Sequence, residues 1–172
     1  MNHTNIEVKA KSSNHARIRE ILESNAADYR GRDHQIDTYF NVPNGRLKLR
    51  EGNIENSLIY YDREDIEGPK QSNVTLCRLS PNSALKELLI KALGVLTVVD
   101  KQREIYFVAN VKIHIDSVKG LGSFVEVEAI DQDGRFGRDE LLAQCQHYIH
   151  LFGISPSELV STSYSDLLLN RS

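Results

Sequence analysis

The sequence predicts an α+β fold: an antiparallel eight-stranded β-barrel with an ionic interior, flanked by amphipathic helices. Three observations carry this. Eight segments read as strands, mostly in adjacent hairpins, which can close into a barrel. Five of them carry charged residues at alternate positions, and because strand side chains alternate between faces, each has one ionic and one apolar face. Three segments, about 14–25, 81–93 and 138–152, carry apolar stripes at helical spacing. With the ionic faces outside, those helices would have nothing apolar to cover. With the ionic faces inside, the barrel's outer wall is apolar and the helices coat it.

Each element has its own signal. The segment NIEVKAK sets Glu7, Lys9 and Lys11 against Ile6, Val8 and Ala10. Ser12 or Ser13 can cap the helix at 14–25, whose stripe is Ile18, Ile21 and Leu22. The polar run YRGRDHQ reads as a loop before the strand QIDTYF. Val42-Pro43-Asn44-Gly45 then forms a turn, since proline presets one dihedral and Asn-Gly accommodates positive φ. RLKLRE puts Arg46, Lys48 and Arg50 on one face, EGNIEN turns, and SLIYYDRE is a strand carrying Arg63. DIEGPK, with Gly68-Pro69 ahead of Lys70, reads as a mobile loop, and SNVTLCRL as the next strand. Ser80-Pro81 starts a packing helix with Leu85, Leu88, Leu89, Ala92 and Leu93 on its stripe, stopped by Gly94. A long strand at 97–108 holds Lys101 and Arg103, with imperfect alternation at Asp100, Gln102 and Glu104.

The hairpin KIHIDSVKGLGSFVEVE follows. It places Lys112, His114 and Asp116 on one face of its first strand, and Glu126 and Glu128 on one face of its second. Its Gly120 and Gly122 form a turn between strands and do not open a helix, so they are no nucleotide fingerprint. The helix at 138–152 buries Leu141, Cys145, Tyr148, Ile149 and Phe152, and Ser155-Pro156-Ser157-Glu158 is a capping box opening a short last helix.

The totals exclude several classes. The 172 residues suit a single domain, and no apolar run approaches the roughly 20 residues of a membrane-spanning helix. The N-terminus runs directly into a charged strand, without a secretory signal, so a cytoplasmic protein is expected. Cys77 and Cys145 lie far apart without metal-ligand spacing, which argues against structural zinc. A net charge of −3 argues against bulk attraction to nucleic acid or to a membrane surface.

The inward reading collects Lys9, Lys48, Arg50, Lys101, Arg103 and Lys112 with Glu7, Asp116, Glu126 and Glu128. Burying an ion costs several kcal/mol, so such an interior is expected to be wet and to take a polyvalent ligand. Guanidinium and ammonium groups match phosphate oxygens. Carboxylates beside a polyphosphate imply a hard cation between them, Mg2+ or Mn2+. The pattern reads as a site for a metal triphosphate. His114 reads as a hydrogen-bonding wall residue, since these ions prefer oxygen. Asp37 and Tyr39 read as structural, and Tyr164 and Asp166 as anchors of the C-terminal segment.

The residues NIEVKAK, QIDTYF with GRLKLRE, LIYYDRED with GPK, KQR, GLGSFVEVE and SYSDLL together resemble the CYTH-domain family of triphosphate tunnel metalloenzymes, nearest its class IV adenylate cyclase and thiamine triphosphatase-like branch. The resemblance covers almost the whole chain and implies an eight-stranded tunnel. By resemblance, Glu7, Glu126 and Glu128 bind the metal with Asp116 nearby. Lys9, Lys48, Arg50, Arg63, Lys101, Arg103 and Lys112 hold the triphosphate, Lys70 comes from a loop, and Lys9 and Lys112 are the catalytic candidates. The family signature Glu-x-Glu-x-Lys has Asn5 at its first position here. The implied activity is ATP cyclisation to cyclic AMP and pyrophosphate, or hydrolysis of ATP, thiamine triphosphate or inorganic triphosphate; a homodimer is compatible with the resemblance. Two rivals stay open: a non-catalytic nucleotide or polyphosphate binder, and a scaffold of salt-bridged strands.

Overall fold

The computed structural model describes residues 2–63, 66, 68–81 and 84–171. Its strands are β1 (Asn2–Lys11), β2 (Asp28–Phe40), β3 (Arg46–Glu51), β4 (Ser57–Arg63), β5 (Lys70–Arg78), β6 (Val95–Val108), β7 (Val111–Val118) and β8 (Gly122–Asp131). They close into a barrel in the order β1-β5-β4-β3-β2-β6-β7-β8, and every neighbouring pair is antiparallel. The helices are α1 (His15–Ser24), α2 (Leu85–Leu93), α3 (Arg138–Leu151) and α4 (Tyr164–Leu169), with a single 3-10 turn at Pro156–Glu158. None is long and apolar enough to cross a membrane.

The alternation sends charge inward as predicted. On β1 the apolar Ile6, Val8 and Ala10 join Ile113, Ile115, Val125 and Val127 of β7 and β8 in the outer wall, where α1 (Ile18, Leu22) and α3 (Leu141, Cys145, Tyr148) cover them. Glu104, which spoiled the alternation of β6, has a use on that outer side. Arg19 of α1 donates to both its carboxylate oxygens, at 2.9 and 2.7 Å, and Tyr106 Oη donates at 3.2 Å. The ion pair fastens α1 to the barrel.

A second cluster lies inside the barrel at one end. Tyr39, Ile59, Tyr61, Val99, Val118 and Phe124 pack there against Tyr164, with Leu167 and Leu168 of α4 alongside. The C-terminal helix thereby closes that end of the tunnel.

Four expectations are corrected. The run at 29–35 is no loop but the first half of β2, because Asp33 and Gln35 are buried on its inner side while Arg32 and His34 are exposed; Arg30, at the irregularity between Tyr29 and Gly31, lines the cavity. The residue capping α1 is Asn14, and no side chain of Ser12 or Ser13 accepts from its first turn. The helix after Pro81 begins only at Leu85; it buries none of its residues, and Leu88 is 63% exposed. It is therefore not a third coat. The segment STSYSDLLLN contains α4, which was not expected to be helical. Part of DIEGPK, at 65 and 67, lies outside the described residues.

Candidate functional site

The barrel encloses a cavity of about 850 Å³, which falls in the usual small-molecule range of roughly 300–1,000 Å³. Glu7, Lys9, Lys48, Arg50, Arg63, Lys101, Arg103, Lys112, Glu126 and Glu128 all line it. Residues from six strands thus converge; the strand pattern puts all but Arg63 inside, and Arg63 is placed there by the resemblance.

The cations are organised by two buried acids. Asp37 on β2 faces Arg50 on β3 in register, and their side chains make two parallel bonds, Nε to Oδ1 and Nη2 to Oδ2, both 2.8 Å. Lys101 Nζ reaches the same Oδ2 at 2.7 Å and Lys48 Nζ at 3.2 Å. Burial alone would raise the Asp37 carboxyl, but Arg50, Lys101 and Lys48 outweigh it and hold the group well below the usual carboxylate range. Lys101, itself buried and surrounded by Arg50, Arg103 and Lys48, is pushed down to about 7 despite Asp37.

Asp116 on β7 is the second organiser. It takes two bonds from its cross-strand partner Arg103, at 2.7 and 2.6 Å, and a third from Tyr164 Oη at 2.7 Å. Both carboxylate oxygens are occupied, the residue is fully buried, and it does not line the cavity. This removes Asp116 from the metal candidates. Its use is to fix Arg103.

The remaining carboxylates are held more loosely. Glu126 stands 3.7 Å from Lys9 Nζ and 3.8 Å from Arg103 Nη2. Burial raises its carboxyl, but Lys9, His114 and Arg103 together keep it well below normal. Glu128 behaves oppositely. Burial raises it, and the neighbouring Glu7 and Glu126 carboxylates add to that rise against the pull of Lys112. Asn5 Nδ2 donates to Glu128 Oε1, and Asn5 Oδ1 is buried with no partner among the described residues. Glu7 lies beside Glu128 in the β1–β8 register but receives a bond from Arg63. A crowded acid whose neighbours resist its ionisation, beside an unmatched amide oxygen, fits a hard divalent cation. Glu126 and Glu128 could hold one, with Glu7 and Asn5 adjoining.

Lys9 lies 4.0 Å from the centroid of the Tyr164 ring, and burial pushes its ammonium down to about 8, a fall that Glu126 and Glu7 oppose and Arg63 and Lys70 reinforce. Lys70 was expected from a loop. It is instead the first residue of β5, buried, donating to the Ser161 carbonyl and absent from the cavity lining. Tyr164 does anchor the C-terminal segment, through Asp116, yet its ring also lines the cavity. Asp37 likewise is structural and lines it.

Sequence reasoning missed Glu55. It sits in the turn between β3 and β4, accepts from Arg50 Nη1 at 3.1 Å and from Gln35 Nε2 at 3.1 Å, and also accepts from Lys112 across the cavity. Asp33 builds that turn by accepting from the backbone N–H groups of Ile54 and Glu55, each at 2.9 Å. No periodicity marks a turn residue; the only signal was an acid between glycine and asparagines. His114, expected to hydrogen-bond, has neither ring nitrogen bonded among the described residues.

Comparison with known proteins agrees with this architecture. A protein of Methanocaldococcus jannaschii, provisionally named an adenylate cyclase, is 25% identical over 176 residues, covering 94% of this chain and 97% of that one. A Vibrio parahaemolyticus structure, also provisionally named an adenylate cyclase, superposes with a TM-score of 0.82 at 19% identity, covering 98% of this chain and 99% of that one. A Hippeastrum protein provisionally named an adenylyl cyclase, described as having a dominant triphosphatase activity, superposes with a TM-score of 0.61 at 12% identity, over 98% and 95% of the two chains. At these identities the structural matches speak for the fold. The CYTH domain profile matches residues 3–150, and on that match, with the closed barrel and its charged lumen, the chain belongs to the CYTH-domain family.

Proposed function

We propose that this chain is a metal-dependent enzyme that binds a triphosphate-containing substrate in the tunnel and breaks a phosphoanhydride bond. The observation that carries this is the two-sign lining: cations matched to phosphate oxygens on several walls, and a carboxylate group on β8 that fits a divalent ion. A scaffold of salt-bridged strands gives no reason for an 850 Å³ opening among those charges.

In this reading Lys48, Arg50, Arg63, Lys101 and Arg103 hold the phosphates, with guanidinium groups offering two-point contacts and ammonium groups point charge. Lys9 and Lys112, which flank Glu126 and Glu128 in the register of β1, β7 and β8, neutralise charge growing on the reacting phosphoryl oxygens. Mg2+ or Mn2+ held by Glu126 and Glu128, with Glu7 adjoining, would supply further charge stabilisation. Asp116 and Lys70 are not given substrate roles.

Two outcomes share this cradle. In cyclisation the ribose 3′-oxygen of ATP bonds to the α-phosphorus, its proton leaves to solvent, and the bond to the pyrophosphate breaks. In hydrolysis water bonds to the terminal phosphorus, its proton leaves to solvent, and the bond from that phosphorus to the bridging oxygen breaks, giving orthophosphate and releasing the diphosphate. The name of the M. jannaschii relative favours the first, and the described activity of the Hippeastrum protein the second. The test is product chromatography with ATP, thiamine triphosphate and inorganic triphosphate, each with Mg2+ or Mn2+. Turnover of one of them is expected, abolished by chelator and reduced about 10²–10³-fold by Glu126→Gln with the fold intact. Turnover that survives excess chelator would overturn the metal role. Tight triphosphate binding without any turnover would leave a binding protein.

A further inference from the structure

We propose that His114 is itself a metal ligand, completing with Glu126 and Glu128 a mixed nitrogen–oxygen site that holds a first-row transition ion such as Mn2+ in preference to Mg2+. This rests on reading the tunnel as a metal–triphosphate site, and it says which ion that site takes.

Three observations meet at this residue. His114 Nδ1 or Nε2 and one oxygen each of Glu126 and Glu128 lie within 4.8 Å of one another, a spacing that one cation can bridge. The imidazole is 1% exposed and lines the cavity, yet neither ring nitrogen has a hydrogen-bond partner among the described residues. Nδ1 stands 3.5 Å from Glu126 Oε1, without hydrogen-bond geometry. Buried polar groups are ordinarily paired, and leaving one unpaired costs roughly 1–3 kcal/mol. β7 sets this ring opposite Glu126 of β8.

The register explains the placement. His114 and Glu126 are cross-strand partners on β7 and β8, and Glu128 is the next inward residue of β8. Opposite side chains of an antiparallel pair approach closely enough to share a ligand. The acid expected at position 5 is Asn5, whose amide already donates to Glu128 and carries no charge. A neutral imidazole restores a strong donor without adding charge. Mg2+ takes oxygen ligands and keeps its waters, whereas a first-row transition ion, Mn2+ included, accepts an imidazole nitrogen beside the oxygens it prefers.

The experiment is pulsed electron paramagnetic resonance of Mn2+ bound to the whole protein, with and without inorganic triphosphate. ¹⁴N modulation from an imidazole ligand is expected, replaced by a ¹⁵N pattern when the protein is grown with ¹⁵N-histidine. In parallel, Mn2+ and Mg2+ affinities are measured by calorimetry. His114→Ala is expected to remove the nitrogen coupling and to lower the ratio of Mn2+ to Mg2+ affinity about tenfold or more. His114→Gln, which keeps the volume and offers oxygen, serves if the alanine variant fails to fold, with the same loss of coupling. Bound Mn2+ without nitrogen coupling, with selectivity unchanged in the variants, would overturn this proposal and leave the metal–triphosphate reading standing. No Mn2+ binding even with triphosphate present would overturn both.

Discussion

Asp37→Asn tests whether the buried acids hold apart cations that a polyanion is meant to gather. The wild-type carboxylate receives two bonds from Arg50 and one from Lys101, all 2.7–2.8 Å, with Lys48 at 3.2 Å, and it is 1% exposed. The substitution is isosteric, so it removes charge and leaves volume. Three cations then converge on an amide whose NH2 group also donates. Breaking a buried ion pair by removing one partner costs about 3–5 kcal/mol, and this acid serves three partners, so the upper half of that range is expected. For a chain of this size each kcal/mol moves Tm by about 2–4 °C, giving a fall of roughly 8–20 °C in the ligand-free protein. Inorganic triphosphate should then stabilise the variant more than the wild type at equal concentration, because the freed cations bind it more tightly. The assay is calorimetric unfolding at several triphosphate concentrations, with Lys101→Met completing a double-mutant cycle whose coupling should be at least about 1 kcal/mol. A ligand-free Tm within about 2 °C of wild type, or a triphosphate shift no larger than wild type's, would refute the reasoning.

Three further outcomes follow from the same contacts. Lys101, at about 7 in the fold against about 10.4 in an unfolded chain, is neutral in the native state between those values while the unfolded chain holds the proton. Stability therefore rises with pH across that window, and triphosphate, which restores the charge, should bind more weakly as pH climbs from 7 to 9; Lys101→Met should remove that slope in calorimetric titrations. Glu55→Gln releases Arg50 and Lys112 from an internal anion, so triphosphate affinity should rise about two- to tenfold, measured by calorimetry at fixed ionic strength, and no rise would deny that Glu55 competes with the ligand. A Cβ at Gly52 would meet both Asp33 carboxylate oxygens and the Glu55 carbonyl at 2.7 Å, so Gly52→Ala should destabilise the turn and the whole protein by about 1–3 kcal/mol in denaturant unfolding.

The barrel was legible because its signal has period two and repeats. Lys48 and Arg50, Lys101 and Arg103, Glu126 and Glu128 are each two residues apart, so one face assignment carried the others. The signal failed where both faces are polar. In the first half of β2, Asp33 and Gln35 alternate with Arg32 and His34, and a strand with polar residues on both sides reads as a loop. It failed the other way at α2, where leucine spacing implied burial, but spacing describes the helix and not what stands opposite. Whether an acid organises cations or waits for a metal was also not legible. Asp116 and Glu126 share the same pattern, and only the positions of Arg103 and Tyr164 distinguish them.

That distinction says how the tunnel can be both folded and receptive. Asp37 and Asp116 bind their arginines at two points, from strands in register, inside the barrel wall. Both ends of each pair are held by strands in register. Glu55 makes comparable contacts from a turn, at a position 24% exposed at the side chain, so its release disturbs no strand pairing. Glu126 has no lysine or arginine nitrogen nearer than 3.7 Å among the described residues, and ionisation of Glu128 is opposed by its neighbours. An entering metal triphosphate therefore has to displace only Glu55 to reach Arg50 and Lys112, while its cation meets carboxylates that no lysine or arginine closely holds. Of these acids, the one that moves is set on a turn, those that must not move are set opposite arginines in register, and those that take the ion are left without a closely held lysine or arginine.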